Sequence, residues 1–350
     1  MAKKEEHTRT SVALYRTYRP STFSEVRGQE HVVAVLEAAV AKGAIAHAYL
    51  FAGGRGTGKT SMARLLAKAL GTAEEDMYEM DAASNRGIDE IRELREGVTT
   101  LPFNSQYKFY IIDEAHALTR DAWGALLKTL EEPPAHVVFV LATTELDRVP
   151  ETIQSRCQVF QFKKPSHDVL KKLVMDVAKK EGVVVEPAGA ELIALMGDNS
   201  FRDTLGILQK VLTVSQDKIL TETEVGKVVG APSAELVNAF LSALGEKKID
   251  QALKVFNESI SGGVEPRVFI LLVITKVRSI LLMRYAPTLE KDMAAQFGED
   301  DGKVLKNLAG AAGASINSAV LAELISAYIE TGRAVHPAVP LELALYRLFG

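Results

Sequence analysis

Three stretches combine residue types that could handle a phosphoryl group. In "FAGGRGTGKTS" (51–61), Gly53, Gly58, Lys59 and Thr60 keep the Gly-x4-Gly-Lys-Thr spacing of a phosphate-binding loop. Gly53, Gly54, Gly56 and Gly58 let backbone N–H groups turn inward around a phosphate, which brings Arg55, Thr57 and Ser61 into the cradle. Lys59 can reach the β- and γ-phosphates as a point charge, and Thr60 can ligate Mg²⁺. In "FYIIDEAH" (109–116), Asp113 suits a second magnesium ligand at a strand end, and Glu114 can orient and deprotonate an attacking water. Alone, such an Asp-Glu pair after a strand would more often be a helix N-cap and first-turn acid; beside a phosphate loop it points to catalysis. "LATTE" (141–145) ends a further strand with the hydroxyls of Thr143 and Thr144, which β-propensity and a turn explain equally well. Arg156, in "TIQSRC" (152–157), has no acid nearby in sequence. Strands of about 17–20 Å would hold it at the opposite sheet edge, out of reach of its own phosphate site. It is either a solvated surface residue or a cation offered to a second copy of the chain.

The elements that must position these groups alternate. Apolar runs at 46–52, 77–82, 107–113, 137–143 and 158–162 read as strands buried on both faces of a parallel sheet. Helical patterns such as "TSMARLLAKAL" and "RDAWGALLKTLEE" lie between them, the latter stopped by Pro133-Pro134. The expected class is therefore α/β over roughly 20–163. After Pro165 the strand signal disappears. Three amphipathic helices are expected within 166–215, and an all-helical block from 233 to 350, with 308–315 a loosely packed helix start or loop.

Composition removes several function classes. The 350 residues carry a net charge of −4, so no global positive field marks a protein that coats nucleic acid, although a local grip remains open. One cysteine, Cys157, excludes an internal disulfide and any cysteine-based zinc site, and seven histidines show no ligand spacing. The longest apolar run, "VFILLVI" (268–274), is far too short to span a bilayer. Residues 1–13 read as a disordered leader without a signal sequence, so a cytoplasmic location is the default.

In order, "YRTYRPSTFSEVRGQEHV" (15–32), "GGRGTGKTS", "DAASNRGIDEIREL" (81–94), "IIDEAHAL", "LLKTLEEPP" (126–134), "LATTE" and "SRC" closely resemble the bacterial DNA polymerase III gamma/tau family, the ATP-driven motors of sliding-clamp loaders. The resemblance covers essentially the whole chain, densely to about residue 212. It implies a P-loop AAA+ domain (14–165) with a five-stranded parallel sheet of order 5-1-4-3-2, a three-helix lid (166–231) and an all-α collar for oligomerisation (232–350). It implies Arg156 as a finger acting in trans, Thr144 as the residue that senses the γ-phosphate, and Arg202 as a phosphate contact from the lid. Tyr15, Arg19, Pro20 and Val26 would wrap the adenine and ribose. Ser84, Asn85, Arg86 and Lys128 would face DNA. The implied cofactors are ATP and Mg²⁺. The implied partners are further copies, delta and delta-prime subunits, the beta sliding clamp and primed DNA near the replisome, with no membrane.

The chain departs from the family pattern in places. Gly54 stands where proline is usual, and Arg27 replaces a small apolar residue. A four-cysteine zinc module follows the phosphate-loop helix in many relatives, whereas "AKALGTAEEDMYEMDAAS" (67–84) has no cysteine, so zinc is not expected. The chain ends after the collar, as a short gamma-like form or a part of a longer tau would. Rival readings are a delta-prime-like subunit that does not hydrolyse ATP, a hexameric AAA+ translocase and a replication factor C-like loader. A DNA-stimulated ATPase is expected. Members of a polymerase holoenzyme are filed with DNA polymerases, but this chain lacks the acid pair of a two-metal polymerase and should not synthesise DNA.

Overall fold

The computed structural model describes residues 12–215, 218–290, 293, 297, 299–311 and 315–350. The expected leader lies outside them except for Val12 and Ala13. By internal contacts the chain divides into two compact units, one running up to Leu170 together with Gly197–Gly206, the other comprising Lys171–Met196 and Ile207–Gly350.

The first unit is built on five parallel strands: β1 (Ala48–Gly53), β2 (Met77–Asp81), β3 (Lys108–Asp113), β4 (Val137–Thr143) and β5 (Gln158–Phe162). Their order, β2-β3-β4-β1-β5, is the expected 5-1-4-3-2. Successive residues of a strand point to opposite faces, so the apolar runs feed two cores. Tyr49, Phe51, Phe109, Ile111, Val138 and Val140 pack on Val32, Leu36, Met62 and Leu66, which come from the helices Glu30–Lys42 and Lys59–Ala69. Leu50, Tyr110, Ile112, Phe139 and Leu141 pack on Ile91, Trp123, Leu126 and Leu130, from the helices Ile88–Val98 and Arg120–Glu131. Burial on both faces holds for the three inner strands only. The outer pair is half open, with Tyr78 and Glu79 of β2 and Gln158 and Val159 of β5 facing solvent at least in part, because each edge strand has a neighbour on one side.

The connection from the phosphate-loop helix to β2 is short and is fastened by a buried carboxylate. Asp76 accepts from the backbone N–H groups of Phe103, Asn104 and Ser105 at 2.5, 2.9 and 2.9 Å. Burial alone would raise its pKa; those donors together with the Ser105 hydroxyl outweigh it and hold the group below the ordinary carboxylate range.

Beyond Pro165 the expected helices are present as His167–Lys180, Pro187–Met196 and Phe201–Val214. The strand signal does not wholly vanish. Val184–Val185 (β6) and Ile219–Leu220 (β7) form a two-residue parallel pair, too short for alternation to register in sequence. An additional helix, Glu222–Val229, starts on a capping box in which Thr221 and Glu224 satisfy each other's backbone N–H groups.

The remainder of the second unit is helical, around a core that includes Phe240, Phe256, Phe269, Val273, Ile280, Leu324 and Leu345. The long helix Pro266–Tyr285 supplies one buried and one partly buried cation. Lys276 Nζ donates to Asp301 Oδ2 at 2.5 Å and to Asn238 Oδ1 at 2.9 Å. Arg284 donates to the carbonyls of Leu308, Ala309 and Ile316. Residues 308–310, expected as a helix start or loop, instead close the helix Glu299–Gly310; residues 312–314 of that stretch lie outside the described part.

Candidate functional site

The phosphate loop leaves β1 at Gly53, which pairs in register with Phe162 of β5. Gly53 has φ 155°, and an added Cβ would lie 2.5 Å from the Phe162 carbonyl oxygen, so only glycine fits there. Gly56 has φ 69°, and a Cβ on it would collide with the Ser200 hydroxyl. The buried Gln29 ties the loop to the segment after β5: its amide donates to Thr57 O at 3.5 Å and to Lys163 O at 2.7 Å, and accepts from Lys163 N at 3.1 Å. Thr57 is buried and donates to Gly54 O, Arg55 is exposed, and Gly58 caps the helix on which Thr60 and Ser61 lie.

Lys59 is 6% exposed, and its Nζ donates to Gly53 O at 2.8 Å and Gly54 O at 2.9 Å. Burial pushes its pKa down, while the carboxylates of Glu114 and Asp113 push it back up. Thr60 Oγ1 donates to Asp113 Oδ2 at 2.7 Å, which brings two hard oxygen donors from separate elements to one point. That donor set suits Mg²⁺, which takes one or two carboxylates, a hydroxyl and substrate phosphates. Glu114 turns off β3 in the left-handed region, at φ 48°. Its Oε2 accepts from Thr144 Oγ1 at 3.2 Å and lies 3.5 Å from His116 Nδ1. His116 in turn touches Thr143 Oγ1 at 3.1 Å and Glu145 Oε1 at 3.2 Å. Lys59, Thr60, Asp113, Glu114 and Thr144 thus share the carboxyl edge of the sheet.

A cationic border adjoins them. Arg202, exposed at the start of the helix Phe201–Val214, lies over the Tyr15 ring at 5.7 Å, and Phe201 N donates to Gly56 O at 3.0 Å. Burial, then the charge of Arg64, lowers the pKa of Arg19. Pro20 and Val26 are partly buried on the same N-terminal segment.

Arg156 lies elsewhere. It precedes Gln158, which pairs with Tyr49, whereas the phosphate loop begins four residues further along, at the level of Phe162. The arginine is not without an acid: its Nη2 donates to Glu131 Oε1 at 2.7 Å, and its Nη1 donates to Thr152 O at 2.7 Å. Among the residues expected to face DNA, Arg86 and Lys128 are exposed, and Arg86 Nε donates to Ala83 O. Ser84 and Asn85 donate to Asp81, and the helix Ile88–Val98 starts beyond them with Gly87 at its N-cap.

Two family models match the chain, "DNA polymerase III, delta subunit" over residues 28–87 and 74–166 and "DNA polymerase III subunits gamma and tau domain III" over 220–350. DNA polymerase III subunit tau of Bacillus subtilis is 40% identical over 299 residues, 79% of this chain and 53% of that protein. The chain belongs to the DNA polymerase III gamma/tau family. The tau subunit of Escherichia coli is 34% identical over 304 residues, 81% of this chain and 47% of that protein. The gamma/tau chain described here spans about half the length of these relatives. A solved Thermotoga maritima RuvB, a Holliday junction branch migration motor, matches with a TM-score of 0.53 and 24% identity over 65% of this chain and 79% of that one. That likeness shows an AAA+ fold and no more.

Several residues of this gamma/tau family member escaped the sequence reading. His116 stands in "DEAH", two positions after Glu114, so its contact with that carboxylate could have been expected. Glu131 had no such signal, being 25 residues away from the arginine it pairs with. Ser200, whose hydroxyl fills the space beside Gly56, could be found only in the folded chain.

Proposed function

We propose that the chain is the ATP-hydrolysing motor subunit of a bacterial clamp loader, which opens a ring-shaped sliding clamp and places it on primed DNA. The observation that carries this reading is the meeting of Lys59, Thr60, Asp113, Glu114 and Thr144 at one sheet edge in a gamma/tau chain. The AAA+ domain (14–165), the lid (166–231) and the collar (232–350) are the divisions this reading uses.

In this mechanism the loop amides and Lys59 bind the β- and γ-phosphates, exchanging the lysine's two carbonyl partners for phosphate oxygens. Thr60 and Asp113 would hold Mg²⁺, which would supply positive charge to the phosphate oxygens. Glu114 orients water and takes its proton; Thr144, already on that carboxylate, reports whether the γ-phosphate is present. Tyr15, Arg19, Pro20 and Val26 enclose the base and ribose, and Arg202 reaches the phosphates from the lid. Arg156, placed before the start of β5 whereas its own phosphate loop begins at the level of Phe162, supplies positive charge to a neighbouring copy, where a trans-acting arginine stabilises phosphoryl transfer. Arg86 and Lys128, with Ser84 and Asn85, offer contacts to DNA phosphates. ATP favours one assembly state over another, and DNA bound to that state aligns the hydrolytic groups. Further copies, delta-type subunits, the clamp and primed DNA are the partners, in the cytoplasm. Among the described residues, no single helix is long and apolar enough to cross a membrane.

A second reading, a subunit that binds but does not hydrolyse ATP, draws on the delta description of the model over 28–166. The intact set of hydrolytic side chains argues against it. The deciding measurement is ATP turnover by the chain purified with its cellular partners, with and without clamp and primed DNA. Stimulation by both is expected; turnover indifferent to them defeats the clamp-loader proposal.

A further inference from the structure

We propose that Glu131 is a positioning residue for phosphoryl transfer at a neighbouring copy, acting through Arg156; this rests on the trans-acting role given to Arg156 above. Glu131 Oε1 accepts from Arg156 Nη2 at 2.7 Å, Thr152 O accepts from Nη1 at 2.7 Å, and Ser155 Oγ lies 3.4 Å from that same nitrogen. The side chains of Arg156 and Glu131 are 34% and 44% exposed, so water screens the pair and its contribution to folding is small. What the contacts do fix is direction. The two terminal nitrogens are anchored by different elements, one by the helix Arg120–Glu131 and the other by the short helix Glu151–Gln154, which stops the guanidinium plane from rotating. A guanidinium has five N–H donors in a rigid fork. These contacts occupy three and leave Nε–H and one Nη2–H to meet phosphate oxygens. A cation held in place before the reaction avoids the reorganisation that a swinging side chain would need.

The position of Glu131 adds a second argument. It is the last residue of the helix Arg120–Glu131, which follows the Glu114–His116 turn after β3. That segment of chain therefore leads from the hydrolytic carboxylate of one copy to the arginine offered to the next.

The test measures ATP turnover and nucleotide affinity of the full chain in its native assembly, with clamp and primed DNA present. The variants are Arg156→Ala, Glu131→Ala, Glu131→Gln and the Glu131→Ala/Arg156→Ala double. Arg156→Ala should lower kcat by about a thousandfold at unchanged affinity. Glu131→Ala should lower kcat by about tenfold, again at unchanged affinity, through misdirection of the cation. Glu131→Gln keeps the acceptor and should restore most of that loss. In the double variant the glutamate change should add nothing, a result that a general loss of structure would not give. If Arg156→Ala leaves turnover intact, the trans-acting reading itself falls. If Arg156→Ala is slow but Glu131→Ala is at or above wild-type turnover, or its cost adds to that of Arg156→Ala, the positioning role alone is overturned.

Discussion

Lys59 and Lys276 are equally hidden, at 6% and 5% exposed, yet they are held in opposite ways. Lys276, among the helices of the second unit, meets Asp301 and Asn238, and Asn238 Nδ2 donates in turn to the other Asp301 oxygen at 2.6 Å. Charge is balanced within that triad, and its three side chains satisfy one another. Lys59, in the phosphate loop, meets only the carbonyls of Gly53 and Gly54; among the described residues no acid is within ion-pair distance of it. Asp113 and Glu114 are near enough to act on its pKa but bond to Thr60 and Thr144 instead. A buried charge without a counterion is costly unless the protein is made to receive one. The contrast marks Lys276 as architecture and Lys59 as a place kept for an anion.

Replacement of each lysine should break the comparison in opposite directions. Lys59→Ala is expected to abolish nucleotide binding, a loss of about 4 kcal/mol or more from charge-assisted contacts, while the melting curve without nucleotide changes little. Fluorescent-nucleotide titration and thermal unfolding read the two quantities separately. Equal loss of stability in Lys59→Ala would remove the distinction. Lys276→Ala strands a partly buried carboxylate and should cost about 3 kcal/mol in denaturant unfolding, with nucleotide affinity unaltered. The double change Lys276→Met/Asp301→Leu should recover much of that loss, because an apolar pair leaves no charge unmatched.

Asp76 sharpens the same point with the sign reversed, since its anion is satisfied by backbone N–H groups rather than by a cation. Its folded pKa is lowered, so the stability it contributes is present above the unfolded value of about 3.9 and is lost as pH falls through the folded value. Asp76→Asn should therefore make acid unfolding below about pH 4 shallower and leave pH dependence near neutrality unchanged. An unchanged acid limb would mean that the turn at 103–105 does not depend on the carboxylate's charge.

What could be read in the sequence followed from local rules. The glycine and lysine spacing of the phosphate loop is a contiguous pattern, and the inner strands are continuous apolar runs, so both were legible. Strand order came only with the family resemblance, because register and crossover are set by packing between distant segments. The half-exposed edges of the sheet were missed, since β2 and β5 look in sequence like strands with two neighbours. Glu131, Ser200 and Gln29 act on residues 25 or more positions away, or through the shape left beside a glycine, and no local pattern encodes such partners. Arg156 was legible as an oddity, an arginine without a local acid; its partner was not.

The smallest expected effect concerns a neutral group in the same setting. Cys157 follows Arg156 directly, yet its side chain packs against the core that contains Leu50 and Ile153. Burial pushes its thiol up to about 12, so almost none is thiolate at neutral pH, and the thiolate is the reactive form. Maleimide should label the native chain slowly and the denatured chain quickly, whereas Cys157→Ala should leave ATP turnover unchanged and cost only the packing of one small side chain. Rapid labelling of the folded protein would show that the segment 152–157, the end of the short helix and the turn after it, opens readily. Glu131 could not then hold the neighbouring guanidinium in a fixed direction, so a thiol with no part in the chemistry becomes a probe of how firmly that segment is held.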